Sequence, residues 1–456
     1  MFARINHIHF VGIGGAGMSG LAIILKNLGY HVTGSDLVRT SLTEHLRQLG
    51  IKVAYRHHEQ NCYGANVVVY STAINKHNPE IQYALKHKIP VIPRAEMLAE
   101  LMRVKFSIAV SGTHGKTTTT SLISAILEQA QLHPTIIIGG KVVGLNSTAK
   151  LGKSEYLVAE ADESDRSFLL LYPTLAVITN IEREHLDYYK NIQEIKNAFI
   201  EFANKVPFFG SVIVCHDCPQ ARNILPHLKR EVITYGLTKQ AMVYAQNIQL
   251  NNFNSRFTVF YNHTKFNCQL NLGGEHNIQN ALAAICVALK LKIPIPTIKN
   301  ALANFQGIER RLQFKGRKNN ITIYDDYGHH PTEIRATLQT LRNAYPQQRI
   351  ITVFQPHRYT RTKLLGNDFG KAFNHTDLLI ITDIYAASEK KIPKVSSQII
   401  VDAIKKQNQL HPQVIYKKTF AEIVNYLKAN IKQNDVIITL GAGNIWQVGE
   451  TLLKTL

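Results

Sequence analysis

The sequence predicts an α/β protein of three domains, each built on a mostly parallel sheet, and three observations predict it. The chain has 456 residues, more than one hydrophobic core ordinarily serves. Apolar runs of strand length alternate with helix-length segments in three successive stretches, and that alternation makes parallel sheets. Glycine-rich or polar loops follow the strands, where open parallel sheets place their ligands. A composition of 45% hydrophobic and 18% charged residues belongs to a folded globular chain, not a disordered one.

The first expected domain covers residues 1–104. It has a strand at His7–Val11, a helix over Met18–Leu28 and a strand at Val67–Tyr70. Gly12-Ile13-Gly14-Gly15-Ala16-Gly17 follows the first strand and opens the helix, and Asp36 ends the next strand. This is G-x-G-x-x-G spacing with an acid at ribose-binding distance, so a Rossmann-like domain is expected. Read alone the loop suggests NAD, but the same turn accepts the pyrophosphate of a UDP-sugar. Plain packing of strand on helix through glycine uses the same residues.

The second expected domain covers 105–315. Ser111-Gly112-Thr113-His114-Gly115-Lys116-Thr117 lies between the apolar run Phe106–Val110 and a helix over Thr118–Ala130. Strand, glycine loop, Lys-Thr and helix form a phosphate cradle of the P-loop kind, with free N–H groups and a helix N-terminus facing an anion. Lys116 is expected to reach the β- and γ-phosphates and the Thr117 hydroxyl to hold Mg²⁺. The loop is short, with two residues between Gly112 and Gly115. ATP or GTP binding is therefore expected. Further strands are expected at Tyr156–Glu160 and Leu175–Thr179, a small antiparallel patch within Met242–Leu270, and a helix over Asn277–Leu289.

Three motifs of this domain bear on chemistry. Glu160-Ala-Asp162-Glu163-Ser-Asp165 closes a strand, and Glu160 is the best metal ligand among them because it ends the buried strand. Asp162, Glu163 and Asp165 read as a solvated loop. His185, within Asn180–Asp187, is a candidate ligand for a second divalent ion. Asn277 and Asn280 stand one helical turn apart after His276, where two amides could read an adenine edge. Capping of the helix by Asn277 is the alternative.

The third expected domain covers 316–456 and is Rossmann-like. Gly316–Asn320 reads as a polar, turn-rich joint. Strands follow at Ile321–Tyr324, Ile350–Phe354, Leu378–Thr382 and Val436–Leu440. Asp325-Asp326-Tyr327-Gly328-His329-His330-Pro331 follows the first of them, and Gln355-Pro356-His357-Arg358-Tyr359-Thr360-Arg361 the second. Arg358 and Arg361 could clamp a carboxylate in bidentate fashion.

The net charge of +20 invites a nucleic-acid reading. The basic residues are spread along the chain, and no zinc finger, basic heptad or RNP aromatic motif is present, so no specific nucleic acid is expected. Attraction for polyanionic small substrates is expected instead. Five cysteines without disulfide-like spacing suit a reducing compartment, and Cys215-His-Asp-Cys218 reads as incidental. Glycines break the early apolar run, so no signal peptide is expected. No run approaches the ~18 apolar residues of a membrane helix, so no membrane insertion is expected, and a cytoplasmic location is.

Together the motifs resemble the Mur ligases, and among them the alanine-adding branch. The residues that carry the resemblance are Gly12–Ser19, Gly112–Thr120, the Glu160 cluster, His276-Asn277 with Asn280, Asp325–Pro331 and Pro356–Arg361, in order over essentially the whole chain. Met18-Ser19 and the Tyr327 and His357 loops point to that branch. The resemblance implies domains for UDP-sugar, ATP and amino acid, in that order, with closure around the substrates. It implies ATP-dependent joining of L-alanine to the lactyl carboxylate of UDP-N-acetylmuramate, with Mg²⁺, in a monomer or homodimer. It makes the first loop a UDP-sugar site of Gly12, Gly14, Gly15, Ala16, Gly17, Met18, Ser19, Asp36 and Ser71. It gives ATP to Gly112, Thr113, His114, Gly115, Lys116, Thr117 and Thr118, with His276, Asn277, Asn280 and Arg311. It gives metal to Thr117, Glu160 and His185, and the amino acid to Tyr327, His329, His357, Arg358 and Arg361. Lys116, Glu160, His185, His329, Arg358 and Arg361 form the implied catalytic set. Sibling ligases carry a carbamylated lysine where Ile200 stands here, an absence expected of this branch. The alternatives are a murein-peptide recycling ligase, an NAD-dependent oxidoreductase built on the first loop, and a non-catalytic nucleotide-binding module.

Overall fold

A computed structural model describes residues 5–71, 73–139, 149–184, 188–387, 389–407 and 412–456. Among them three sheets form, of five, ten and six strands, which is the mixed α/β architecture the alternation predicts.

In the first sheet the order is Lys52–Ala54, His31–Ser35, His7–Val11, Val67–Tyr70, Val91–Pro93, and all the pairs are parallel. The order reverses beside His7–Val11. A crevice therefore opens at the carboxyl ends of His7–Val11 and Val67–Tyr70, where Gly12 and Ser71 stand. The strand Phe106–Ser111 lies inside the second sheet, flanked by Tyr156–Glu160 and Leu175–Ile178, both parallel to it. That placement brings the ends of three strands to one phosphate loop. The expected antiparallel patch is three neighbouring strands, Val243–Asn251, Asn254–Tyr261 and Thr264–Leu270, joined by two-residue turns.

The chain divides into two compact units, 1–246 with 258–268 and 279–306, and 247–257 with 269–278 and 307–456. In the first unit the cores of both sheets are continuous, from Phe10 and Leu21 to Ala109, Ile178 and Phe199. The helix Arg94–Arg103 ties them together. Ala95, Met97, Leu98, Ala99, Leu101 and Met102 are all buried, while Glu96, Glu100 and Arg103 leave one polar face toward solvent, so a broad apolar face packs against both sheets.

In the second unit the strand order is Gln313–Lys318, Ile321–Asp326, Val436–Leu440, Ile350–Phe354, Leu378–Ile381, Gln413–Tyr416. Alternate residues face opposite cores. Ile323, Val353, Ile380 and Ile437 take one face, and Tyr324, Phe354, Leu379 and Ile438 the other. One reading is corrected here. Gly316–Lys318 is not a turn but the end of strand Gln313–Lys318, antiparallel to Ile321–Asp326 with an irregularity between Phe314 and Gly316. An edge strand with one face in solvent tolerates Lys, Arg and Gly, so its polarity imitates a loop. The turn proper is Asn319-Asn320, both with positive φ.

Candidate active site

The phosphate loop owes its shape to two glycines with positive φ. Gly115, at φ 80°, caps the helix Lys116–Gln129. A side chain there would meet Asn280 Oδ1 at 2.5 Å, and one at Gly112 would meet Thr179 Oγ1 at 2.1 Å. Only glycine lets the chain pass so close and leaves a cradle lined by backbone. The helix starts at Lys116, two residues earlier than expected, so Lys116 and Thr117 stand on its first turn. The next strand end holds the loop. Asn180 Oδ1 accepts from the His114 N–H at 2.8 Å, and Asn180 Nδ2 donates to the His114 carbonyl at 3.1 Å. Thr113 Oγ1 accepts from the Glu182 N–H at 2.9 Å, and the His114 ring lies 3.5 Å from Glu182. Thr118 is buried on the helix. Asn280, itself buried, accepts from Thr119 Oγ1 at 3.2 Å.

The Lys116 ammonium donates to the Gly112 carbonyl at 2.6 Å and to Glu163 Oε1 at 2.9 Å. Burial works to lower its pKa, but the carboxylates of Glu163, Asp162 and Glu160 outweigh burial and raise it, so the group is a fixed cation. This corrects the reading of Glu163 as part of a solvated loop: it is 2% exposed and is the ion-pair partner of the loop lysine. Asp162 is also partly buried, with Oδ1 accepting from the Ser164 N–H at 3.0 Å, and Asp165 accepts from the Ser167 N–H. Glu160 ends its strand opposite Val110, and its carboxylate fills the space a side chain on Gly139 would need. The Thr117 hydroxyl makes no hydrogen bond to a described residue. A hydroxyl and a carboxylate beside a backbone cradle are the hard oxygen donors that Mg²⁺ and a nucleotide phosphate take together, so these residues fit both. His185 lies outside the described residues.

At the first glycine loop, Ser35 is the organiser. Its carbonyl accepts from the N–H groups of Gly12 and Ile13 at 2.8 and 3.0 Å. The Asp36 carboxylate accepts from the Gly14 N–H at 2.8 Å, so this acid braces the loop from within. Ser71 stands across the crevice, its N–H donating to the Val11 carbonyl at 3.2 Å. The helix begins at Ala16, and a side chain on Gly15 would meet the Gly12 carbonyl and Met18 Cγ only at ordinary contact distances of 3.7 and 3.8 Å. Met18 and Ser19 are buried, at 2% and 0% exposure, and their side chains pack inward. Gly17 touches the side chain of Arg94, a residue the sequence reading passed over because it belongs to no motif.

The second unit gathers the aromatic and basic loops. Both Arg310 and Arg311 lie over the Tyr327 ring, at 5.0 and 5.4 Å. Arg310 also pairs with buried Asp325 at 3.0 Å, and Arg311 with Glu333 at 3.7 Å. The His329 and His357 rings stand 5.5 Å apart, and His357 stacks on Tyr385, a partner 28 residues away that no local pattern reveals. Arg361 Nη1 donates to His357 Nδ1 at 2.9 Å. Arg361 is thus tied to His357, and Arg358 sits at φ 70° before the helix Tyr359–Phe369. His276 is half-buried, and burial with the Arg311 charge lowers its pKa to about 4. Asn277 is inside the helix Glu275–Lys290 rather than at its cap, and its Nδ2 donates to the Gly273 carbonyl at 2.8 Å. Burial pushes Asp326 up to about 6.

Known proteins carry the same parts. Family models match residues 7–106 (Mur ligase family, catalytic domain), 110–288 (Mur ligase middle domain) and 310–443 (Mur ligase, glutamate ligase domain). The chain is 49% identical to the UDP-N-acetylmuramate–L-alanine ligase of Trichlorobacter lovleyi and 47% identical to that of Desulfatibacillum aliphaticivorans, in both cases over the whole of both chains. The crystal structure of the UDP-N-acetylmuramate-alanine ligase of Thermotoga maritima superposes with a TM-score of 0.83, at 28% identity, over 99% of each chain. A murein peptide ligase of Psychrobacter arcticus shares the fold, with a TM-score of 0.74 at 23% identity and 98% coverage of each chain. With a phosphate loop, a glycine loop and a His- and Arg-rich third sheet all in the family's order, the chain belongs to the Mur ligase family.

Proposed function

We infer that this protein is an ATP-dependent ligase that joins L-alanine to the lactyl carboxylate of UDP-N-acetylmuramate, in cytoplasmic peptidoglycan precursor synthesis. The observation that carries the inference is 49% identity, over the full length of both chains, to a relative of that name. The Lys116 cradle supports it, because an oxidoreductase built on the first glycine loop would leave that cradle unexplained. No helix among the described residues is long and apolar enough to cross a membrane. The proposed division is 1–104 for the UDP-sugar, 105–315 for ATP and 316–456 for the amino acid.

A carboxylate is a poor electrophile, because attack must add charge to an anionic centre. A lactyl oxygen therefore first attacks the γ-phosphorus of ATP. The bond from phosphorus to the ADP oxygen breaks, and an acyl phosphate forms. The neutral amine of L-alanine attacks the acyl carbon, the nitrogen gives up a proton to solvent, and the tetrahedral intermediate collapses to the amide, expelling phosphate. Such transfer needs positioning and charge neutralisation more than covalent help. Lys116 supplies a fixed cation at the γ-phosphate. Thr117 and Glu160 would hold Mg²⁺, which when bound spreads the phosphate charge. Tyr327, His329, His357, Arg358 and Arg361 are the proposed amino-acid residues. The expelled phosphate carries one former carboxylate oxygen. With an ¹⁸O-labelled lactyl carboxylate, ¹⁸O is therefore expected in the released phosphate, and its absence would remove the acyl-phosphate route.

A further inference from the structure

Tyr189 is 1% exposed and belongs to the core of the first unit that also holds Phe168 and Phe199. A phenylalanine would fill the same volume, and a hydroxyl taken out of water is costly unless it is bonded. This hydroxyl donates to the main-chain carbonyl of Glu163 at 2.6 Å. The same carbonyl accepts from the Arg166 N–H at a longer 3.3 Å, and the Arg166 guanidinium covers the Tyr189 ring at 5.1 Å. Ring, hydroxyl and turn thus clamp Glu163 in place. The Glu163 carboxylate in turn accepts from Lys116 at 2.9 Å. Lys116 also donates to the carbonyls of Gly112 and Thr113, at 2.6 and 3.4 Å. Those two carbonyls belong to the phosphate loop itself. Glu163 reaches the lysine from outside the loop, just beyond the end of the strand Tyr156–Glu160.

We propose that Tyr189 is a positioning residue for phosphoryl transfer: its hydroxyl, by holding the Glu163 main chain, sets where the Lys116 ammonium stands. Glu163 is 2% exposed, so its side chain has little room to make good a shift of its backbone, and such a shift passes to the lysine. The two segments joined by the Tyr189 bond follow the strands Tyr156–Glu160 and Leu175–Ile178, which flank the phosphate-loop strand on either side. Asn180 holds the loop from one of these strand ends, and Glu163 holds it through Lys116 from the other. Tyr189 ties the two together. Placement of a charge matters at this level, since a misplacement of about 1 Å can cost on the order of 10²-fold in rate. The proposal rests on the reaction assigned above, in which Lys116 acts at the γ-phosphate.

The test is Tyr189→Phe in the full chain, which keeps the ring and removes the bond. For phosphate release dependent on L-alanine, kcat is expected to fall about tenfold, the effect of a lysine displaced by a fraction of an ångström. KM for UDP-N-acetylmuramate and for L-alanine is expected to stay within about twofold. A purely structural hydroxyl would lower the melting temperature and leave kcat alone, because nearly every chain is still folded at the assay temperature, and that outcome overturns the proposal. A double-mutant cycle with Glu163→Gln then locates the route. Acting through Glu163, Tyr189→Phe should change kcat less than about twofold in the Glu163→Gln background, and an undiminished loss there overturns the proposal. Single turnovers with labelled ATP and enzyme in excess keep slow variants measurable. A wild-type chain without alanine-dependent release refutes the reaction itself, whereas wild-type kcat in Tyr189→Phe refutes only the role of Tyr189.

Discussion

Lys116 has two roles that experiment can separate. It neutralises the carboxylate of Glu163, which is almost wholly buried, and in the proposed reaction it supplies the charge for phosphoryl transfer. Lys116→Ala should lower turnover by on the order of 10³-fold. It should also destabilise the protein, because it strands a buried carboxylate. Adding Glu163→Gln removes that charge, so the double variant should regain stability in thermal melts and stay inactive in ATP-turnover assays. Recovery of turnover along with stability would show that the lysine is structural only. The sequence made Lys116 legible, because Gly-Lys-Thr between a strand and a helix is one local device. It did not make Glu163 legible: acids after a strand look alike whether they face water or a lysine 47 residues earlier. Arg94 and Tyr385 were missed for the same reason, since their partners are set by the fold and not by a motif.

At the scale of elements, one buried carboxylate joins four segments of the first domain. Glu80, on the helix Pro79–Lys86, accepts from Ser35 Oγ and from Asn61 Nδ2, both at 2.5 Å, and lies 3.3 Å from His57 and 3.6 Å from His9. Ser35 in turn carries the glycine loop on its carbonyl, so Glu80 supports that loop, the proposed sugar site, through Ser35. Burial would raise its pKa, but the neighbouring His9 ring and the hydrogen bonds from Asn61 and Ser35 win and hold it at about 2. A depressed carboxylate contributes stability that is complete above the unfolded value of 4.5 and is lost as pH falls from there toward 2. The contribution is about 3 kcal/mol. Glu80→Gln should therefore lower urea stability at pH 7 by about that much and flatten its pH dependence between pH 5 and 2; an unchanged acid limb would count against this reading. The main strands were legible from their apolar runs. The edge strand Gln313–Lys318 was not, because an edge needs no apolar pattern, and Glu80 was not, because Asn-Pro-Glu reads only as a helix start.

At the scale of the molecule, a net charge of +20 matches a protein whose proposed substrates are a nucleoside triphosphate, a nucleoside diphosphate sugar and a carboxylate, all anions. The three-sheet architecture was legible because strand–helix alternation and the loop after each strand are repeated signals that reinforce one another. The choice of amine is the least local property. In the proposed division it belongs to loops of the third sheet, whose rings and guanidiniums are arranged by distant contacts such as His357 on Tyr385. The most direct measurement of the central claim is phosphate release from ATP with UDP-N-acetylmuramate present, adding L-alanine, D-alanine, glycine or the murein tripeptide in turn. Strong release with L-alanine, weaker release with glycine, whose missing methyl costs roughly 1–3 kcal/mol, and none with tripeptide is the predicted result. Release with tripeptide alone, or release indifferent to every amine, would contradict it.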